Sequence, residues 1–230
     1  MPLDVQLNAL VQVYRVLDDV LDGRDLSCHR GCAACCTQNV TVTTLEGYRI
    51  IAHLDPAGVK GLVERVSNAM QSLRFQPEST LNMQARQPGG DVAVVEEPGS
   101  AEMGICPLLV DDTCAIYADR PLACRTMVSA SDCRSAGYAA MDPFLLTVGH
   151  VLLQFTEHID QNGLTGNLID VLRYLSDESI RRQYEAGKTM QPKNGLPANR
   201  PLSVLMVPPE HRRKISPVLK MLNPNIGDIR

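Results

Sequence analysis

Hydrophobic periodicity opens the chain on an amphipathic helix over residues 3 to 21. Leu3, Leu7, Leu10, Tyr14, Leu17 and Leu21 share one stripe at about 100° per residue, and Val5, Val13, Val16 and Val20 form a second. Asp4, Asn8, Gln12, Arg15, Asp18 and Asp19 hold the remaining arc, so the apolar face is wide and predicts deep packing. Gly23 fits a helix terminator. "NVTVT" (39 to 43) alternates as a short strand, and Thr43 with Glu46 spells a capping box that opens a helix over 45 to 54. Asp55-Pro56 is a cap and first turn for another helix, carrying Val59, Leu62, Val63, Val66, Met70 and Leu73. The pattern then stops. Residues 76 to 103 read as a long connection with one candidate strand at 92 to 95, and loops of that length in a compact domain are functional or mobile.

"CPLLVDDTCAIY" (106 to 117) predicts two short strands joined by a turn at Asp111-Asp112, with a short helix carrying Cys124 after Pro121. A strong helix covers 144 to 160, with Phe144, Leu145, Val148, Val151, Leu152, Phe155 and Ile159 on one face. Shorter helices follow near 166 to 175 and 177 to 187. Beyond Gly187 the chain is rich in proline and basic residues and predicts a loosely packed tail. No repeat of 20 to 50 residues is present. The expected fold is mainly α with a small β-hairpin. It forms a single domain over 1 to 187, organised around a cysteine-ligated metal centre, with a Pro-rich, partly basic tail over 188 to 230.

Composition narrows the function. Apolar residues make up 44% and charged residues 21%, enough for a real core in 230 residues. A net charge of -4 argues against nucleic acid or an anionic membrane surface as partner, since either needs a basic face. No run approaches the roughly 18 apolar residues of a transmembrane helix. The first residues lack the basic region of a secretory signal, which predicts a cytoplasmic, reducing compartment where structural disulfides are rare.

The cysteines change the picture most. "SCHRGCAACC" places Cys28, Cys32, Cys35 and Cys36 at i, i+4, i+7 and i+8, within an arc of about 100° if the stretch is helical. Cys106, Cys114, Cys124 and Cys133 form a second group, and the last 97 residues hold none. Thiols concentrated this way describe one local site, not a disulfide scaffold or scattered core thiols. Eight thiolates fill two tetrahedral four-thiolate sites, or one iron–sulfur cluster with thiols to spare. Neighbouring Cys35 and Cys36 would diverge by about 100° on a helix, which suits separate metals or separate irons better than one shared zinc. An iron–sulfur cluster is therefore favoured over zinc. Its scattered ligands would make it a source of folding energy as well. Arg24, Arg30, Arg120, Arg125 and Arg134 all neighbour cysteines, and such cations stabilise an anionic centre.

Other candidates carry less. His29 adjoins Cys28 as a ligand by type. His150, Glu157 and His158 resemble a metal set, yet His150 and Glu157 point away from their helix's apolar face and His158 sits at its edge, so a solvated face is expected. Asp111 and Asp112 are expected to make the hairpin turn. The "HRRK" run at 211 to 214 reads as solvated. Tyr117 is expected to pack behind the hairpin with its hydroxyl bonded to backbone, whereas Arg30, Arg120 and Arg125 are candidates to support the site from behind the ligands.

"CHRGCAACC" followed by "CPLLVDDTCAIYADRPLACR" resembles the CxxCxxCC family of zinc- or iron-chelating proteins, over roughly residues 28 to 125. The likeness includes the Cys-Pro-Leu-Leu opening, the Cys-x-Ile-Tyr element and Arg120, Pro121, Cys124 and Arg125 as an Arg-Pro-x-x-Cys-Arg ending. In this chain the first gap, Cys28 to Cys32, is three residues. The resemblance implies a metal site of iron–sulfur or zinc type built by these cysteines. It reaches more distantly to the cysteine block of flagellin lysine N-methylases, although this chain is shorter and has no glycine-rich S-adenosylmethionine loop after a strand. Three functions are expected candidates: a redox or metal-handling protein, a protein-modifying enzyme of methylase type, and a structural zinc module recruiting a protein partner through the 76 to 103 loop or the C-terminal tail.

Overall fold

The first helix, α1 (Leu3–Leu21), buries the middle of both apolar stripes, Leu10, Val13, Val16 and Leu17, while Val5 near its start stays exposed. It ends at Gly23, whose φ of 69° lies in the left-handed region that glycine enters without penalty. This computed structural model describes residues 1–86 and 104–222, so the candidate strand at 92 to 95 lies outside the described residues. Strand β1 (Thr41–Thr43) runs directly into α2 (Thr44–Ala52) through the capping box that the sequence spells, with the Glu46 backbone N–H on the Thr43 hydroxyl and the Thr43 N–H on the Glu46 carboxylate. Asp55 caps α3 (Pro56–Ala69) by accepting from the Gly58 N–H at 2.7 Å.

Short elements follow: α4 (Leu81–Gln84), the hairpin strands β2 (Leu109–Val110) and β3 (Thr113–Cys114), α5 (Leu122–Thr126) and α6 (Cys133–Ala136). The long helix α7 (Pro143–Ile159) packs against α1. Strand β4 (Thr165–Asn167) pairs antiparallel with β1, Val42 opposite Gly166, and leads into α8 (Leu168–Leu175), which packs on α2 and α3. Helices α9 (Glu178–Glu185) and α10 (Ser216–Leu222) complete a mainly helical single domain with two small antiparallel sheets.

Two expectations fail here for one reason. Glu157 is buried, not solvated: its carboxylate accepts from the Thr80 hydroxyl at 2.5 Å, the Asn82 N–H at 2.9 Å and the Arg200 N–H at 2.8 Å. Gln154 likewise donates to the Asn82 side chain and the Val204 carbonyl, and accepts from the Met206 N–H. The polar face of α7 is thus covered by irregular chain whose backbone groups need partners. His150 does stay exposed, while half-buried His158 accepts from the Leu202 N–H at 3.1 Å. The described part of the tail is correspondingly well packed, with Leu196, Leu202, Ile215, Val218 and Leu222 buried and α10 lying on α1.

A second polar node sits at the end of α7. Asp160 is fully buried and accepts from the Thr44 hydroxyl at 2.6 Å, the Leu45 N–H at 2.9 Å, the Tyr184 hydroxyl at 2.6 Å and the Asn199 side-chain amide at 3.1 Å. One carboxylate therefore joins the start of α2 to α9 and to the tail.

Candidate metal centre

Residues 27 to 36 do not form a helix, so the shared-face reasoning for Cys28, Cys32, Cys35 and Cys36 does not hold. Gly31 has φ 90°, outside the right-handed helical region, and the stretch runs as isolated turns (Cys32 N–H to His29 O, Cys36 N–H to Ala33 O, each 3.0 Å). Its two ends are moored elsewhere. The Ser27 N–H donates to Ser129 O at 2.8 Å and the Arg134 guanidinium to Gly31 O at 3.4 Å, tying the first end to the segments on either side of Cys133. At the other end the Cys106 N–H donates to Cys36 O at 3.0 Å, and Thr37 bridges to Ile105.

The second group is built by the hairpin and the turns after it. Asp111 and Asp112 have φ of 47° and 57°, the double left-handed turn that matches strand twist in a two-residue hairpin loop, and Cys114 pairs opposite Leu109. The Leu109 N–H on Cys106 O at 3.0 Å folds Cys106 back beside the strands. After a 3-10 turn at Tyr117–Asp119, Cys124 rides on α5.

The α5 turn is held from the helical core by Glu46, whose role there the sequence reading missed. Its buried carboxylate accepts from the Leu122 N–H at 2.7 Å and from the Tyr14 hydroxyl at 3.1 Å. Arg125 stacks over the Tyr14 ring at 4.5 Å and donates to Arg120 O and Ala118 O at 2.8 and 2.7 Å. The capping box identified Glu46 as a helix start, but nothing in its spacing announced a contact 76 residues away.

All the cysteines except Cys133 line one cavity of about 810 Å³. Cys133 opens α6, with its sulfur 3.9 Å from Ser131 O. All eight are free thiols. Among the described residues, no three His, Cys, Asp or Glu side chains converge closely enough to hold a single metal ion. The donor set nevertheless suits a soft metal: thiols around one cavity, with cationic Arg120 and Arg125 also in its wall. Metal binding at a thiol-rich site of this kind displaces the thiol protons.

Electrostatics ties the two groups together. A hydrogen bond from Cys36 lowers the Cys35 thiol to about 6, helped by Arg120, and raises Cys36 in return. Burial raises Cys28, Cys106, Cys114 and Cys124. Cys124 feels the charges of Cys106, Cys114 and Cys35, whereas Cys28 feels those of Cys32, Cys35 and Cys133, so Cys35 belongs to both neighbourhoods.

The supporting residues divide. Arg120 and Arg30 both lie over the Tyr117 ring, at 3.9 and 5.5 Å. The Tyr117 hydroxyl makes no hydrogen bond among the described residues, contrary to the expected backbone bond; its ring is the part in use. Arg125 serves the α5 turn. His29 lines the cavity, with Nδ1 2.9 Å from Arg30 O.

A family model described as "CxxCxxCC: Putative zinc- or iron-chelating domain" matches residues 27–143. No curated protein and no solved structure matches, so the similarity to the flagellin lysine N-methylases is not shown. No described helix is long and apolar enough to cross a membrane.

Proposed function

The chain belongs to the CxxCxxCC family of zinc- or iron-chelating domains, and on that premise we propose that its cysteine block holds an iron–sulfur cluster with a redox role, in electron transfer or oxidant sensing. One observation carries the choice of cluster over zinc: seven thiols line a single cavity, more than the four that one tetrahedral zinc takes. A tetrahedral zinc with Zn–S bonds of about 2.3 Å needs sulfurs roughly 3.8 Å apart. A cluster distributes its thiolates around a larger body, each on its own iron, and so suits donors spread over a loop, a hairpin and α5.

When bound, the cluster supplies one-electron chemistry at a potential set by its surroundings. The chain's part is to set those surroundings. Buried Leu108, Ile116 and Leu122 keep water from one side, and Arg120 offsets thiolate charge near Cys35, Cys114 and Cys124.

Protein purified without oxygen tests this through its visible spectrum together with iron, zinc and acid-labile sulfide per chain. Brown protein with iron and sulfide in similar amounts, bleaching reversibly on reduction, is the expected result. Colourless protein with zinc and no sulfide would overturn the cluster and leave a structural zinc module.

A further inference from the structure

A metal centre alone does not account for the size of the cavity. A single ion held at about 2.3 Å by four sulfurs occupies a sphere on the order of 50 Å³, and a cluster a few times that. The cavity measures about 810 Å³, within the roughly 300–1,000 Å³ range of sites that enclose whole small molecules. Much of its remaining wall is apolar, including Leu21, Leu26, Val40, Leu108, Ile116 and Val128.

Into this setting comes a cation without a partner. Arg120 lines the cavity, its Nε is buried, and that nitrogen has no hydrogen-bond acceptor. Its guanidinium makes no ion pair among the described residues; its contact is the Tyr117 ring, with Cζ 3.9 Å from the ring centroid. Exposed Arg30, also without an ion pair among the described residues, lies over the same ring, 5.5 Å from its centroid. Arg125 differs, because backbone carbonyls occupy its donors. The two carboxylates lining the cavity, Asp18 and Asp112, are both exposed, and Asp112 lies 3.9 Å from Arg134. Thiolate sulfur would take part of the Arg120 charge, but it is a poor match for a planar array of N–H donors. A carboxylate matches that array with two parallel hydrogen bonds.

We propose that the cavity binds, beside the metal group, a small organic carboxylate, its charged end on the Arg120 guanidinium and its hydrocarbon part against the Leu108, Ile116 and Val128 wall. This rests on the metal reading in one respect only, that the metal group takes the thiol-lined part of the space. The compound is a substrate or effector of the centre, held close to the thiols yet bound by groups that are not ligands.

Hexanoate is the probe, titrated calorimetrically into the full-length protein as purified, with its metal content measured. Saturable heat is expected with hexanoate, at least tenfold weaker binding with hexan-1-ol, and at least tenfold weaker hexanoate binding in Arg120→Gln. Arg120→Lys, which keeps the charge and loses the fork, should fall between, and it carries the comparison if Arg120→Gln sheds metal. No binding of hexanoate, equal binding of the alcohol, or undiminished binding in both Arg120 variants would overturn the proposal. Hexanoate binding by protein that proves to hold zinc would overturn the cluster and leave the carboxylate site standing.

Discussion

Replacing Cys124 by serine is expected to lower metal per chain at least tenfold while leaving the helical content unchanged. Cys124 lines the cavity, feels the charges of Cys106, Cys114 and Cys35 together, and rides on a turn that Glu46 fixes to the core. Hydroxyl oxygen is a poor substitute for thiolate on a soft metal, and even groups that only support a ligand cost about 10–100-fold in affinity when removed. Cys133→Ser is the contrast: Cys133 does not line the cavity, and its loss should remove much less metal. Elemental analysis beside far-ultraviolet circular dichroism reads both outcomes. Full metal retention in Cys124→Ser would remove Cys124 from the ligand set. Equal losses in the two variants would show that the cavity does not delimit the centre.

The second large effect concerns stability. Asp160→Ala leaves the Thr44, Leu45, Tyr184 and Asn199 donors facing a void, and each buried donor without a partner costs about 1–3 kcal/mol. A net loss of about 3–5 kcal/mol, or roughly 10 °C in melting temperature, is expected. The same group gives stability a pH dependence. Burial pushes Asp160 up to about 7 in the folded protein, against 3.8 for the free side chain. The native state therefore holds the proton more tightly than the unfolded chain. Its contribution to stability is greatest below about pH 4 and declines as pH rises towards 7. Denaturant titrations across that window should show this decline in the native sequence and a flatter profile in Asp160→Asn. An Asp160→Ala variant as stable as the parent would show that the node carries no weight.

The sequence made α1, the Thr43–Glu46 capping box, the Asp111-Asp112 turn and α7 legible, because each rests on local chemistry: stripe spacing, a reciprocal cap, or tolerance of left-handed backbone by aspartate. The cysteine block was legible as a site by its density alone. Its conformation was not, since four residues at helical spacing imply a shared face only if the backbone is helical, and Gly31 removes that condition. Glu157 misled for a different reason. A polar side chain reads as solvated from its own helix, and whether distant irregular chain brings backbone donors to it is a long-range fact. The same blindness hid Glu46 as the anchor of α5 and made a packed tail read as a loose one.

The way the cysteine segments attach to the helices has a kinetic consequence. The buried core is drawn mostly from α1, α2, α7 and α8, with β1 and β4 clasped across more than a hundred residues of chain; the loop from 27 to 36 contributes nothing to it. Two layers of cooperativity follow, a slow global one in the helices and a faster local opening in the thiol-bearing segments. On chelation, amide hydrogens in 27 to 36 should exchange with solvent deuterium many times faster, while those in α1 and α7 keep their protection. Metal traffic through this domain would then be governed by the breathing of a surface unit, with the helical body as a stationary platform.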